Sequence, residues 1–157
     1  SDIKKNILLV PGASHKSKCY PVENLAKFTT LFDASFFIIW GNQNEKILAD
    51  KIKAISPSVN VFDKLSHDSL ISLISQMDLI IGPDTGPTHM AWALNIPSIT
   101  LFGPTPGYRN SYLTPINRII ESDSIVNPLR INQKDYSIKT IDVNEIVKIS
   151  QLLLELK

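Results

Sequence analysis

Short apolar runs at 6–10, 36–40, 59–62, 79–81 and 98–102 alternate along the chain with stretches of helical periodicity, and this alternation limits the fold more than any other feature. The runs are apolar along their length instead of at every second position, the pattern of strands covered on both faces. Helical spacing fills the gaps. Pro21 opens a helix with Val22, Leu25, Ala26 and Phe32 on its apolar side. A second helix, over 45–55, buries Ile47, Leu48, Ile52 and Ile55 and stops at Pro57. Ser66 caps a third that carries Leu70, Ile71, Leu73 and Ile74, with Asp68 in its first turn. A fourth follows Gly86, runs through Met90, Ala91 and Leu94, and ends at Asn95 and Pro97. The segment 118–121 supplies a sixth strand and 142–156 a final amphipathic helix, while 123–139 has no clear period.

Strands alternating with helices give an α/β domain: a doubly wound, Rossmann-like parallel sheet of about six strands with helices on both faces. At 157 residues the chain forms one such domain and not two. The usual order of a doubly wound sheet sets strand one beside strand four and opens a crevice at their carboxyl ends. The loops that meet there are 11–20, with Ser14, Lys16 and Lys18, and Gly82-Pro83-Asp84-Thr85-Gly86-Pro87-Thr88-His89. The second loop leads from a strand into a helix, where unpaired N–H groups and the positive end of the helix dipole collect. Gly86 permits close approach of a ligand and Pro87 suits the first helical turn. Lysines, hydroxyls and a helix amino terminus converging on one crevice describe a diphosphate site. Helix capping alone would account for Asp84 or Thr85, but it does not call for His89 in the same turn.

What is missing narrows the chemistry. The three-glycine dinucleotide fingerprint, a phosphate loop ending in Gly-Lys-Ser/Thr, and a Gly-x-Ser-x-Gly elbow do not occur. No Asp-x-Asp or His-rich ligand arrangement appears, and the histidines, His15, His67 and His89, are far apart in sequence, so no metal is expected. Net charge of +1 gives no footprint for nucleic acid. The single cysteine, Cys19, excludes an internal disulfide and reads as an ordinary loop thiol. No apolar run is long enough to span a bilayer. Glu45 stands just beyond strand two, where an acid in this fold either reads ribose hydroxyls or favours the amino end of the next helix.

Asp84-Thr85-Gly86-Pro87-Thr88-His89, with Gly103-Pro104-Thr105 after the next strand and Trp40-Gly41 and Glu45 earlier, resembles the carboxyl-terminal domain of family 9 glycosyltransferases, the lipopolysaccharide heptosyltransferases. The resemblance runs from about Asn6 to the final helix, and Asp-Thr-Gly-x-x-His is its most specific part. It implies one half of a GT-B architecture, with residues 1–157 as the nucleotide-sugar donor domain and the amino-terminal acceptor domain absent. Carried over residue by residue, it implies that Asp84 contacts the heptose and that Thr85, Gly86 and His89 hold the diphosphate and its surroundings. Ser14 and Lys18 add phosphate contacts, Glu45 holds the ribose, and Leu65 lines the adenine pocket. Ala13 departs from the pattern, since relatives can carry a hydroxyl there, so one phosphate contact is lost.

The activity implied is metal-independent, inverting transfer of heptose from ADP-heptose to the inner core of lipopolysaccharide, on Kdo-lipid A or a heptosyl acceptor. The catalytic base belongs to the absent half, so this domain binds donor and does not turn over; Lys18 and His89 stabilise the leaving diphosphate. The partners implied are the nucleotide-sugar and a lipid-linked acceptor, at the cytoplasmic face of the bacterial inner membrane. Two alternatives stay open on the residues: another GT-B nucleotide-sugar enzyme, such as a UDP-sugar transferase or epimerase half, and a non-catalytic nucleotide-binding module.

Overall fold

The computed structural model describes residues 3–103, 114–122, 134 and 136–155. Its strands are β1 (Asn6–Leu9), β2 (Ser35–Ile38), β3 (Asn60–Val61), β4 (Leu79–Pro83), β5 (Ser98–Phe102) and β6 (Asn117–Glu121). Its α-helices are α1 (Val22–Leu31), α2 (Gln43–Ile55), α3 (His67–Ser75), α4 (Gly86–Ala93) and α5 (Val143–Glu155). The strands form a single sheet in the order β3-β2-β1-β4-β5-β6, every neighbouring pair parallel. β1 pairs with β4 in the register Ile7↔Leu79, Leu8↔Ile80, Leu9↔Ile81, which is the reversal of strand order expected for a doubly wound sheet.

Side-chain alternation in β1 shows why the strands are apolar throughout. Ile7 and Leu9 enter the larger core, beneath α1, α2 and α5, with Leu25, Phe28, Ile52, Ile146 and Leu153. Leu8 and Val10 enter the other, beneath α3 and α4, with Ile74, Met77, Ile80 and Ala91. Each face is thus sealed by helices, and a polar side chain in the middle of β1 or β4 would have no water to reach. β3 is an edge strand of two residues, flanked by the Lys53 ammonium, which donates to the carbonyls of Pro57 (2.6 Å) and Val59 (2.7 Å).

Three readings of the sequence need correction. Ile47 and Ile55 are 52% and 54% exposed; α2 buries Ile52, as read, together with Ala49. One helix face meets the sheet, and at 100° per residue Ile47 lies on the opposite side from Ala49, so an apolar residue in a helix is not thereby a core residue. Phe32 falls just past α1, where its ring stacks on Phe28 at 5.7 Å. The strand expected over 36–40 leaves the ladder after Ile38, freeing Ile39 and Trp40 to line a cavity. The helix after Gly86 ends as anticipated: Asn95 takes the left-handed conformation (φ 59°) that a helix terminator requires. The loop 104–113, with Pro104 and Thr105, and most of 123–139 lie outside the described residues.

Candidate functional site

A cavity of about 470 Å³ opens at the carboxyl ends of β1, β2 and β4. Its walls divide by chemistry. Ile39, Trp40, Leu65 and Leu70 form an apolar side; Ser14, Glu45, Asp84, Thr85 and Gly86 form a polar one. Of the residues read from the sequence, Ser14, Glu45, Leu65, Asp84, Thr85 and Gly86 therefore share one cavity. Lys18 and His89 do not line it and reach it through Asp84. Lys16 lines a neighbouring depression of about 710 Å³, which shares Gly12, Ala13, Ser14 and Glu45 with the first.

Asp84 is the hinge of the polar side. One carboxylate oxygen lies 2.6 Å from His89 Nε2 and the other 3.7 Å from Lys18 Nζ. The side chains of Lys18 and Asp84 are 11% and 10% exposed, so this ion pair is largely withdrawn from water, whereas His89 is half exposed. Asp84 and His89 are five positions apart, which places the histidine one turn into α4 and facing back over the loop. The family resemblance implies a sugar contact for Asp84 and a phosphate contact for Lys18 as separate tasks; in the structure the two form an ion pair.

The start of α4 is held by threonines. Thr85 occupies the N-cap position, and its N–H donates to Thr88 Oγ1 at 3.2 Å. The Thr88 hydroxyl lies 2.9 Å from the carbonyls of Pro83 and of Thr85, its donor targets. Asp84 does not cap. Thr85 and Thr88 thus form a capping box, and the Thr85 hydroxyl is buried at the cavity wall with no acceptor for its proton. A buried hydroxyl proton without an acceptor costs about 1–3 kcal/mol. A Cβ built on Gly86 would meet nothing within 4 Å, so the first turn of α4 presents bare backbone to open space.

Glu45 owes its place to Gly12. A Cβ at position 12 would come within 2.1 Å of Glu45 Cγ, so the carboxylate crosses the β1 loop where no side chain stands. Its oxygens accept from the Gly41 N–H (3.0 Å) and the Asn42 amide (2.8 Å), while Asn42 Oδ1 accepts from the Glu45 N–H (2.9 Å) and caps α2. Trp40 is also fixed: its indole N–H donates to the Phe62 carbonyl at 2.8 Å, and the Lys46 ammonium sits 5.8 Å from its ring centre. Trp40, Ile39 and Leu70 escaped the sequence reading as site residues. The signal available was Trp40-Gly41 at a strand end, where an aromatic leaving the ladder has a free face.

Away from the cavity, burial pushes the Cys19 thiol up, and its Sγ lies 3.7 Å from the His15 carbonyl. Burial likewise pushes the Tyr20 phenol up to about 12, and its hydroxyl donates to the Ile141 carbonyl at 2.6 Å. Among the described residues, no group of His, Cys, Asp or Glu could hold a metal ion, and no helix is long and apolar enough to cross a membrane.

The chain is 42% identical, over 93% of its length, to lipopolysaccharide heptosyltransferase 1 of Campylobacter coli, of which it covers 46%. Its fold superimposes on a family 9 glycosyltransferase from Veillonella parvula with a TM-score of 0.85 at 16% identity, covering 98% of this chain and 47% of that one. It matches the E. coli heptosyltransferase WaaC, solved with ADP, at a TM-score of 0.80 and 16% identity over 98% of this chain and 45% of that one. WaaC solved with ADP-2-deoxy-2-fluoro heptose gives 0.76 at 17% identity, over 96% and 44%. The chain thus spans about half the length of the relatives it matches. Residues 2–135 match the family model directly, and the chain belongs to glycosyltransferase family 9 (heptosyltransferase).

Proposed function

We propose that this chain is the donor-binding half of a heptosyltransferase that moves heptose from ADP-heptose to the inner core of lipopolysaccharide. The observation that carries the reading is the single cavity at the β1/β4 switch point, apolar at Ile39, Trp40, Leu65 and Leu70 and polar at Ser14, Glu45, Thr85 and Gly86. A nucleotide diphosphate has the same two-part character. The apolar side accepts adenine; Glu45, held by Gly41 and Asn42, accepts ribose hydroxyl protons. The diphosphate lies at the bare first turn of α4, against the Thr85 side chain, Ser14 and Lys18. Asp84 turns to the heptose hydroxyls, and His89 completes the diphosphate surroundings. The names of the relatives and the ligands of WaaC agree with this donor.

In an inverting displacement the acceptor oxygen attacks the anomeric carbon as the bond to the diphosphate breaks. Lys18, His89 and the α4 amino terminus stabilise the leaving charge without a metal. The base that takes the acceptor proton belongs to the other half of a GT-B enzyme, with this chain as the carboxyl-terminal domain, working at the cytoplasmic face of the inner membrane on a lipid-linked acceptor. Thermal unfolding with ADP, with UDP and with neither tests the reading: a ligand that binds only the native state raises the midpoint. The expected result is a rise with ADP that exceeds the rise with UDP and survives a chelator. A folded chain that millimolar ADP leaves unmoved refutes the donor site.

A further inference from the structure

We infer that Asp84 is the residue that makes this site prefer a sugar-loaded nucleotide to the spent one. The inference rests on the donor-site reading and extends it. Asp84 is nine-tenths buried, lines the cavity, and has both oxygens engaged by cationic or proton-bearing partners, Lys18 at 3.7 Å and His89 at 2.6 Å. In the empty site the carboxylate therefore stands in for the anion that those two residues are placed to receive.

A diphosphate that enters competes with it for Lys18. A phosphate oxygen at the ~2.8 Å of a charge-assisted hydrogen bond to the Lys18 ammonium lies no more than roughly 6.5 Å from the Asp84 oxygen that ammonium now faces. Two negative groups then share a poorly hydrated pocket, and the carboxylate has lost part of its pairing. Bare ADP leaves that deficit uncorrected. A sugar on the diphosphate corrects it, because its hydroxyls donate to the carboxylate oxygens. Donor binding thus gives the carboxylate new partners for the charge that diphosphate binding draws away, and cleavage of the sugar–phosphate bond, with departure of the sugar, removes them again. The penalty falls on the product, so Asp84 speeds release of ADP.

The consequence is opposite to that of an ordinary binding residue: removing its charge should tighten ADP. Calorimetric titration of the chain with ADP and with inorganic pyrophosphate compares wild type with Asp84→Asn, which keeps shape and loses charge. On the order of a hundredfold tighter binding of both probes is expected for the variant, the size of one unit-charge repulsion at about 6.5 Å and an effective dielectric near 20. Imidazole nitrogen chemical shifts of His89 in the wild-type chain give a measurement independent of the variant's folding. Pyrophosphate should shift the His89 Nε2 resonance as Asp84 and the incoming anion exchange partners. Equal or weaker binding of ADP to Asp84→Asn while the wild type binds it, or a His89 signal unmoved at saturating pyrophosphate, overturns this inference and leaves the donor site standing. Failure of the folded wild type to bind either probe overturns both.

Discussion

Removing either member of the Lys18–Asp84 pair should cost the fold itself, quite apart from any ligand. At 3.7 Å two unit charges attract by about 4.5 kcal/mol at an effective dielectric near 20. That figure is an upper bound: the distance exceeds a hydrogen bond, and part of the attraction offsets the cost of taking both groups out of water. A net coupling of about 1–3 kcal/mol remains. Lys18→Met and Asp84→Asn keep the length and shape of the side chains, and each leaves a charge without its partner in a site about a tenth exposed. Each single variant should lose about 2 kcal/mol, or roughly 4–8 °C of melting midpoint for a chain of this size. The double variant should lose clearly less than the two losses added, because it leaves no orphan charge. Urea unfolding followed by far-ultraviolet circular dichroism, at low and high salt, measures all corners of the cycle. Losses that add to within about 0.5 kcal/mol would refute the reasoning, since separate sites behave that way. So would a coupling that disappears at 1 M salt, the mark of an exposed pair.

Gly12→Ala should weaken ADP binding on the order of tenfold without unfolding the chain, because the new methyl displaces Glu45, whose Cγ lies 2.1 Å from that position; calorimetry checks it, and Gly12→Ala binding ADP as well as wild type would remove Glu45 from the ribose. Tyr20 gives a pH dependence: its phenol titrates near 12 in the fold against an ordinary 10.0, so the folded chain holds that proton more tightly, and the stability this lends is complete below about pH 10 and lost as pH rises through 12. Urea midpoints between pH 8 and 11.5 should therefore fall more steeply for wild type than for Tyr20→Phe, with parallel slopes as the contrary result.

Legibility of the sequence followed the range of the forces involved. Strands β1, β4 and β5 could be read because burial on both faces leaves a continuous apolar run, and the end of α4 because Asn95 tolerates a backbone twist few other residues accept. The buried face of α2 could not, since Ile47 and Ala49 differ in which side of the helix they occupy and not in being apolar. The crevice was legible through topology, which brings the β1 and β4 loops together whatever their side chains do. The pairing of Lys18 with Asp84 was not: nothing local in either loop says that an ammonium on a short 3₁₀ turn reaches a carboxylate in a loop distant in sequence. Glu45 presented two roles, and its bonds to Gly41 and Asn42 show that the helix-terminus role is real and leaves the side chain at the cavity wall.

The two-residue strand β3 has a meaning for how these molecules meet one another in solution. An open parallel sheet invites a foreign strand wherever a row of backbone groups stays unpaired. Beside β3 that row is almost absent, and Lys53 already occupies the carbonyls of Pro57 and Val59 with a charged group that repels its own copy on a second molecule. A concentrated solution of this chain has no template for fibre growth along that border, and any self-association there must proceed through side chains.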